Sequence, residues 1–117
     1  MSATRLLMAQ LVVLIALVGI VFYGFDHDAL WDTFWYSSLA HFLGGLWCAL
    51  FAAWTMRFLE IPFHIQYCVL SAVLLGVGWE IFEVIIGATH YPASTLDTIA
   101  DISMDIFGGL FGAYLVR

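Results

Sequence analysis

Five acidic residues lie in or beside the last two hydrophobic stretches of this chain, where an ionised side chain is costly. They are Glu80, Glu83, Asp97, Asp101 and Asp105. A charge at the centre of a membrane-spanning helix costs about 2.5–3.5 kcal/mol on insertion scales, and such residues usually mark a functional site. The chain has no lysine, and its three arginines do not fall among these acids. The sequence therefore predicts that the chemistry of this protein takes place here.

The acids share their region with His41, which lies in the preceding hydrophobic stretch. So many carboxylates in a region of low dielectric constant cannot all remain ionised without a counter-ion. Either several are protonated or a cation is bound. Oxygen ligands with one imidazole suit a divalent ion such as Mg²⁺, Mn²⁺, Zn²⁺ or Fe²⁺. The predicted metal ligands are His41, Glu80, Glu83, Asp101, Asp105 and Asp97. All of them except Asp97 are also the candidate catalytic residues.

A structural role for the same residues is the alternative interpretation. Protonated carboxyl groups can hydrogen-bond between helices and hold a bundle together, with about 0.6 kcal/mol for each polar contact. Asp97 also fits a capping-box variant, Ser94-Thr95-Leu96-Asp97, at the start of the last helix. On this interpretation Asp97 caps a helix and does not bind a ligand.

The composition identifies the environment of these residues. Of the 117 residues, 64% are hydrophobic and 10% are charged, whereas soluble domains carry about 25% charged residues. Nucleic-acid binding is excluded because there is no lysine and the arginines are scattered. Four apolar runs, at residues 6–24, 36–57, 65–88 and 97–116, are each near the length of about 20 residues that spans a bilayer. We expect an all-α, four-transmembrane-helix bundle that forms a single membrane domain over residues 1–117, with the lipid bilayer as its partner.

The arginines predict the orientation. With four spans, Arg5, Arg57 and Arg117 all fall on one side of the membrane, which should be the cytoplasm. Both termini are then cytoplasmic, and the acids gather with His41 in the outer half of the bundle.

Helical spacing places the polar and small residues on one face of each of the last three spans. The three stripes are His41, Gly45, Cys48 and Ala52; Gly76, Glu80, Glu83 and Gly87; and Asp97, Asp101, Asp105, Gly108 and Gly112. Small residues allow helix backbones to approach closely. We expect these three spans to form the core and the aliphatic first span to pack peripherally. The glycine-rich faces could also pack against a second copy of the chain, in a homo-oligomer, or against a membrane partner.

Three segments carry a recognisable pattern: His41-Phe42-x-Gly44-Gly45, Gly78-Trp79-Glu80-x-x-Glu83 and Asp101-x-x-x-Asp105-x-x-Gly108-x-x-x-Gly112. They resemble the VanZ-like membrane proteins and the related YjdF-type family, and the resemblance covers roughly residues 37–115. The chain departs from the pattern at Ser37, where an acid is common, and at Asp105, where VanZ-like proteins usually have asparagine. The resemblance implies a prokaryotic plasma-membrane location and no particular reaction.

Three functions follow as alternatives. The first is a membrane protein whose site binds a divalent metal or protons and acts on, or senses, an envelope lipid component. If it is catalytic, metal-assisted hydrolysis or group transfer is the expected class. The second is a small proton-coupled transporter, because buried acids suit proton relays. The third is a scaffold or assembly subunit of a larger membrane complex.

Overall fold

The chain folds into four long helices and one short helix, in a computed structural model that describes residues 1–88 and 95–117, with the backbone alone at positions 31 and 32. The helices are α1 (Ala3–Asp26), α2 (Ala29–Asp32), α3 (Phe34–Phe58), α4 (Ile65–Ile85) and α5 (Thr95–Val116). All four long helices are long and apolar enough to cross a membrane. The prediction of an all-α bundle with four spans is confirmed.

The end of the third span and one short helix differ from the sequence prediction. The third span ends at Ile85 and not at residue 88, because Gly87 has a positive φ of 73°. The N–H groups of Gly87 and Ala88 donate to the carbonyl groups of Val84 and Glu83, which is the pattern of a Schellman C-cap. The short helix α2 was not predicted. The capping box proposed for α5 begins at Ser94, which lies outside the described residues.

Helix α3 is the centre of the bundle and packs against α5, α4 and α1, while α4 also packs against α5. Helix α1 is peripheral, as predicted, and buries only Leu6, Gln10 and Gly24. Its outer face is apolar, since Val12 and Ile15 are 63% and 72% exposed. Such a surface fits lipid rather than water, which agrees with the bilayer expected from the sequence.

Close contact between α3 and α5 depends on glycine. A Cβ atom at Gly45 would overlap the backbone carbonyl of Asp105, and one at Gly108 would overlap the carbonyl of Phe42. The backbones can approach this closely only because both positions lack a side chain. These glycines therefore pack inside the chain, and an oligomer or partner bound through the glycine-rich faces stays a prediction.

The arginines gather at one end of the bundle. The Arg57 Nη2 atom donates to the carbonyl of Met1 at 2.9 Å, and Arg57 and Arg117 line the same cavity of about 470 Å³. Arg5 lies in the first turn of α1, at this same end. The ends of α4 and α5 that carry the buried acids lie at the opposite end, as does the end of α3 that carries His41. Which end faces the cytoplasm stays a prediction.

We expect Gly45→Ala to destabilise the bundle by about 1–3 kcal/mol, since the added methyl group forces α3 away from α5. Gly78→Ala is the matched control because a Cβ atom there meets nothing within 4 Å. Unfolding in mixed detergent micelles, followed by circular dichroism, measures both changes. Equal stability of the two variants would contradict the close approach described above.

Candidate functional site

Three helices bring one polar residue each to a common point. His41 lies about two turns into α3, Asp101 lies in the second turn of α5, and Glu80 lies in the penultimate turn of α4. Because α4 runs antiparallel to both neighbours, the three positions come to the same level, about 10 Å from the ends of the helices. Their exposures are 6%, 0% and 5%, so all three side chains are buried.

The three side chains point potential ligand atoms at one another. The His41 Nε2 atom lies 3.6 Å from Glu80 Oε1 and 3.5 Å from Asp101 Oδ2. One ligand atom from each residue lies within 4.8 Å of the others, an arrangement that could hold a metal ion. His41 Nε2 and Glu80 Oε1 are buried and have no hydrogen-bond partner among residues 1–88 and 95–117. Buried polar atoms are usually satisfied, so these two atoms call for a ligand between them.

Asp105 fixes the orientation of the imidazole. Its Oδ2 atom lies 2.8 Å from His41 Nδ1, on the side of the ring away from the other two acids. When Asp105 is ionised and His41 is neutral, the carboxylate can only accept a hydrogen bond, so Nδ1 carries the proton and Nε2 presents a lone pair. Gly76 makes room for this carboxyl group, which a Cβ atom at that position would overlap. Gly76 is therefore part of the site.

Hydroxyl groups hold the other two carboxylates. Ser37 donates to Asp101 Oδ2 at 2.9 Å, and Ser38 reaches the other oxygen at 3.4 Å. Thr98 donates to Glu80 Oε2 at 2.7 Å, which leaves Oε1 facing His41. Sequence reasoning missed these donors. Helical spacing could have found two of them, since Ser37 lies one turn before His41 and Thr98 three residues before Asp101.

The two remaining candidates lie beside this group rather than in it. Glu83 is buried, with 3% exposure, and accepts a hydrogen bond from Trp79 Nε1 at 2.7 Å. Asp97 is half-buried in the first turn of α5. Of the six predicted metal ligands, His41, Glu80 and Asp101 converge, and Asp105 contacts the histidine from behind. Whether any of them binds a metal stays a prediction.

Within the described part of the chain, the charge of the site is not balanced. Glu80, Glu83, Asp101 and Asp105 are buried, and His41 is the one imidazole that the described residues place among them. Protonation of His41 would offset only one of these four carboxylates, and the three arginines lie at the other end of the bundle. A buried charge without a partner is strongly unfavourable, so protons or a bound cation must neutralise the rest.

Comparison of the chain with protein-family models, curated proteins and solved structures finds no match. The resemblance to VanZ-like proteins accordingly stays a prediction.

We expect ¹⁵N NMR of the metal-free protein at alkaline pH to show His41 with its proton on Nδ1, because Asp105 accepts from that atom. His41→Gln assigns the signal. Asp105→Leu should shift the proton to Nε2, whereas Asp105→Asn, whose amide oxygen can still accept, should retain it on Nδ1. A proton on Nε2 in the wild-type protein would contradict the described geometry.

Proposed function

We propose that this protein is an integral membrane protein that binds one divalent metal ion through His41 Nε2, Glu80 and Asp101. One observation carries the proposal: His41 Nε2 and Glu80 Oε1 are buried, face each other and lack hydrogen-bond partners in the part of the chain that the structure describes. In a membrane interior, bringing a water molecule to either atom costs free energy. A cation between the two atoms would interact favourably with both.

The spacing of the three atoms supports a metal. Four ligands around an ion at about 2.1 Å lie roughly 3.4 Å apart in tetrahedral geometry. The distances from His41 Nε2 to the two carboxylate oxygens are 3.5 and 3.6 Å. Small movements of the side chains would complete such a site.

The surroundings of His41 support a metal as well. A metal-binding histidine usually donates its other ring N–H to a carboxylate or a carbonyl, which fixes the tautomer and makes the ligand more basic. Asp105 stands in that position at 2.8 Å. Asp105 is therefore assigned a positioning role, and Glu83 is assigned no ligand role.

One nitrogen and two oxygen ligands favour Zn²⁺, Mn²⁺ or Fe²⁺ over Ca²⁺, which takes six to eight oxygen ligands. Three protein ligands leave coordination positions for water or a substrate, as in catalytic zinc sites. When bound, the ion would supply Lewis-acid chemistry, so metal-assisted hydrolysis or group transfer is the reaction class that fits.

The second hypothesis for the function of the same acids is proton-coupled transport. A proton held between His41 Nε2 and a carboxylate would form a hydrogen bond, for which heavy atoms approach to about 2.7–3.0 Å. The separations of 3.5 and 3.6 Å exceed that range and favour a larger cation. A scaffold role would leave the two unpartnered atoms without an explanation.

The location belongs to the proposal. The arginines at one end of the bundle support cytoplasmic termini, with the metal site near the outer boundary of a prokaryotic plasma membrane. Membership of the VanZ-like family would fit this location and rests on the sequence motifs alone.

Elemental analysis of the detergent-purified protein tests the metal site. After incubation with Zn²⁺ or Mn²⁺ and desalting, the wild-type protein should retain one equivalent. Glu80→Gln and Asp101→Asn should lower the affinity by at least about tenfold with little change in thermal stability, since each removes a charged ligand. Affinity should also fall as the pH is lowered, because protons compete for the ligand atoms.

Glu60→Gln is the matched control, because Glu60 is exposed and lines the cavity at the arginine end. It should bind metal as the wild type does. A wild-type protein that retains no metal, or equal retention by Glu80→Gln and Glu60→Gln, would refute the proposed site.

A further inference from the structure

We call His41, Glu80 and Asp101 the metal-binding group. A cavity of about 190 Å³ lies directly beside it, between α1 and α4, with α3 as its floor. We call it the side slot. His41 and Asp105 form part of its wall, but metal binding as proposed above requires no such space. The cavity therefore has room for a ligand other than the ion.

The walls of the side slot are apolar. Leu17 and Val21 of α1 face Leu75 and Trp79 of α4, and Leu30 of α2 lies at one end. The hydrocarbon and indole surfaces offer few hydrogen-bonding groups, so the space fits a hydrocarbon group better than a sugar or a nucleotide.

The side slot is more polar at one end than at the other. Ser37 and His41 line it at the level of the metal-binding group. Gly44 lies about one helical turn closer to the middle of the bundle, and there Leu17 and Leu75 line the cavity together with one polar group, the Asp105 carboxyl beside Gly44. From the polar end the cavity therefore runs towards the centre of the membrane-spanning helices. A phospholipid has the same order, with its phosphate at the boundary and its chains pointing inwards.

The side slot opens sideways towards lipid. Among the described residues, α1 packs on α2 and α3 and makes no extensive contact with α4. Leu75, in the wall, is 41% exposed, and the adjacent Leu74 is 64% exposed. Acyl chains surround this surface once the four helices span a bilayer, so the phospholipid is the molecule positioned to enter.

We propose that the side slot holds one acyl chain of a glycerophospholipid whose phosphate group reaches the metal ion. The head-group part of this assignment rests on the proposed function. Without a cation, the carboxylates would repel an anionic phosphate. With a divalent ion present, a phosphate oxygen is a suitable ligand for an open coordination position.

Photocrosslinking in nanodiscs tests the acyl-chain assignment. The probe is a phosphatidylglycerol with a diazirine in one acyl chain, and mass spectrometry maps labelling to Ala40. This residue is 8% exposed and lines the side slot, so lipid on the outer surface cannot reach it. Leu17→Trp should lower the labelling by at least about fivefold, because the indole fills the space that the chain needs.

Ile15→Trp is the matched control, since Ile15 lies on the same helix and is 72% exposed. It should leave labelling of Ala40 unchanged, and both variants should bind metal as the wild type does. Val21→Trp repeats the test at a second wall position should Leu17→Trp fail to fold. Equal labelling of Ala40 in the wild type and in a folded slot variant would overturn the proposal.

A second arm separates the chain from the head group. Diacylglycerol with the same diazirine lacks the phosphate, so its labelling should not change when the metal is removed by chelation, whereas phosphatidylglycerol labelling should fall severalfold. If the protein binds metal and phosphatidylglycerol labelling is the same before and after chelation, the phosphate contact is overturned. Labelling blocked by Leu17→Trp in a protein that binds no metal would refute the metal site and support the acyl-chain slot.

Discussion

The burial of four carboxyl groups around one imidazole is the constraint on which the rest of this structure depends. Glu80, Glu83, Asp101 and Asp105 are each at most 5% exposed in a bundle whose helices can span a membrane. Such groups are stable there only if they are neutralised and hydrogen-bonded. The described residues supply hydrogen bonds through Ser37, Thr98 and Trp79, but they do not supply enough positive charge.

The glycine residues follow from the same constraint. Asp105 can reach His41 only because Gly45 lets α3 approach α5 and Gly76 leaves space for the carboxyl group. That contact determines which nitrogen of His41 faces Glu80 and Asp101. Helix packing and site chemistry are therefore coupled. A substitution at either glycine should disturb the orientation of the imidazole as well as the stability of the bundle.

The sequence predicted the coarse architecture well, because span length and hydropathy depend on the bilayer and hardly on tertiary detail. Spacing of three and four residues also placed the acids on common helix faces. The end of α4 was predicted three residues too late, since hydropathy does not register the left-handed conformation at Gly87. Such a cap is visible only as a glycine near the end of a span.

The division of roles within the site could not be predicted from spacing. All six candidates qualified as ligands by residue type, but the rotation of each helix decides which oxygen faces which nitrogen. Asp105 and Asp101 lie on the same face of α5, one turn apart, yet they contact opposite sides of the His41 ring. The side slot was likewise invisible, because it depends on how α1 lies across α3.

The most direct test of the central claim is an anomalous difference map from crystals of the protein loaded with Mn²⁺. The account predicts one peak, at roughly 2.0–2.2 Å from His41 Nε2 and from oxygens of Glu80 and Asp101. The contradicting result is a map without a peak there, in which His41 Nε2 lies at hydrogen-bond distance from a carboxyl group. It would show that protons alone neutralise these acids.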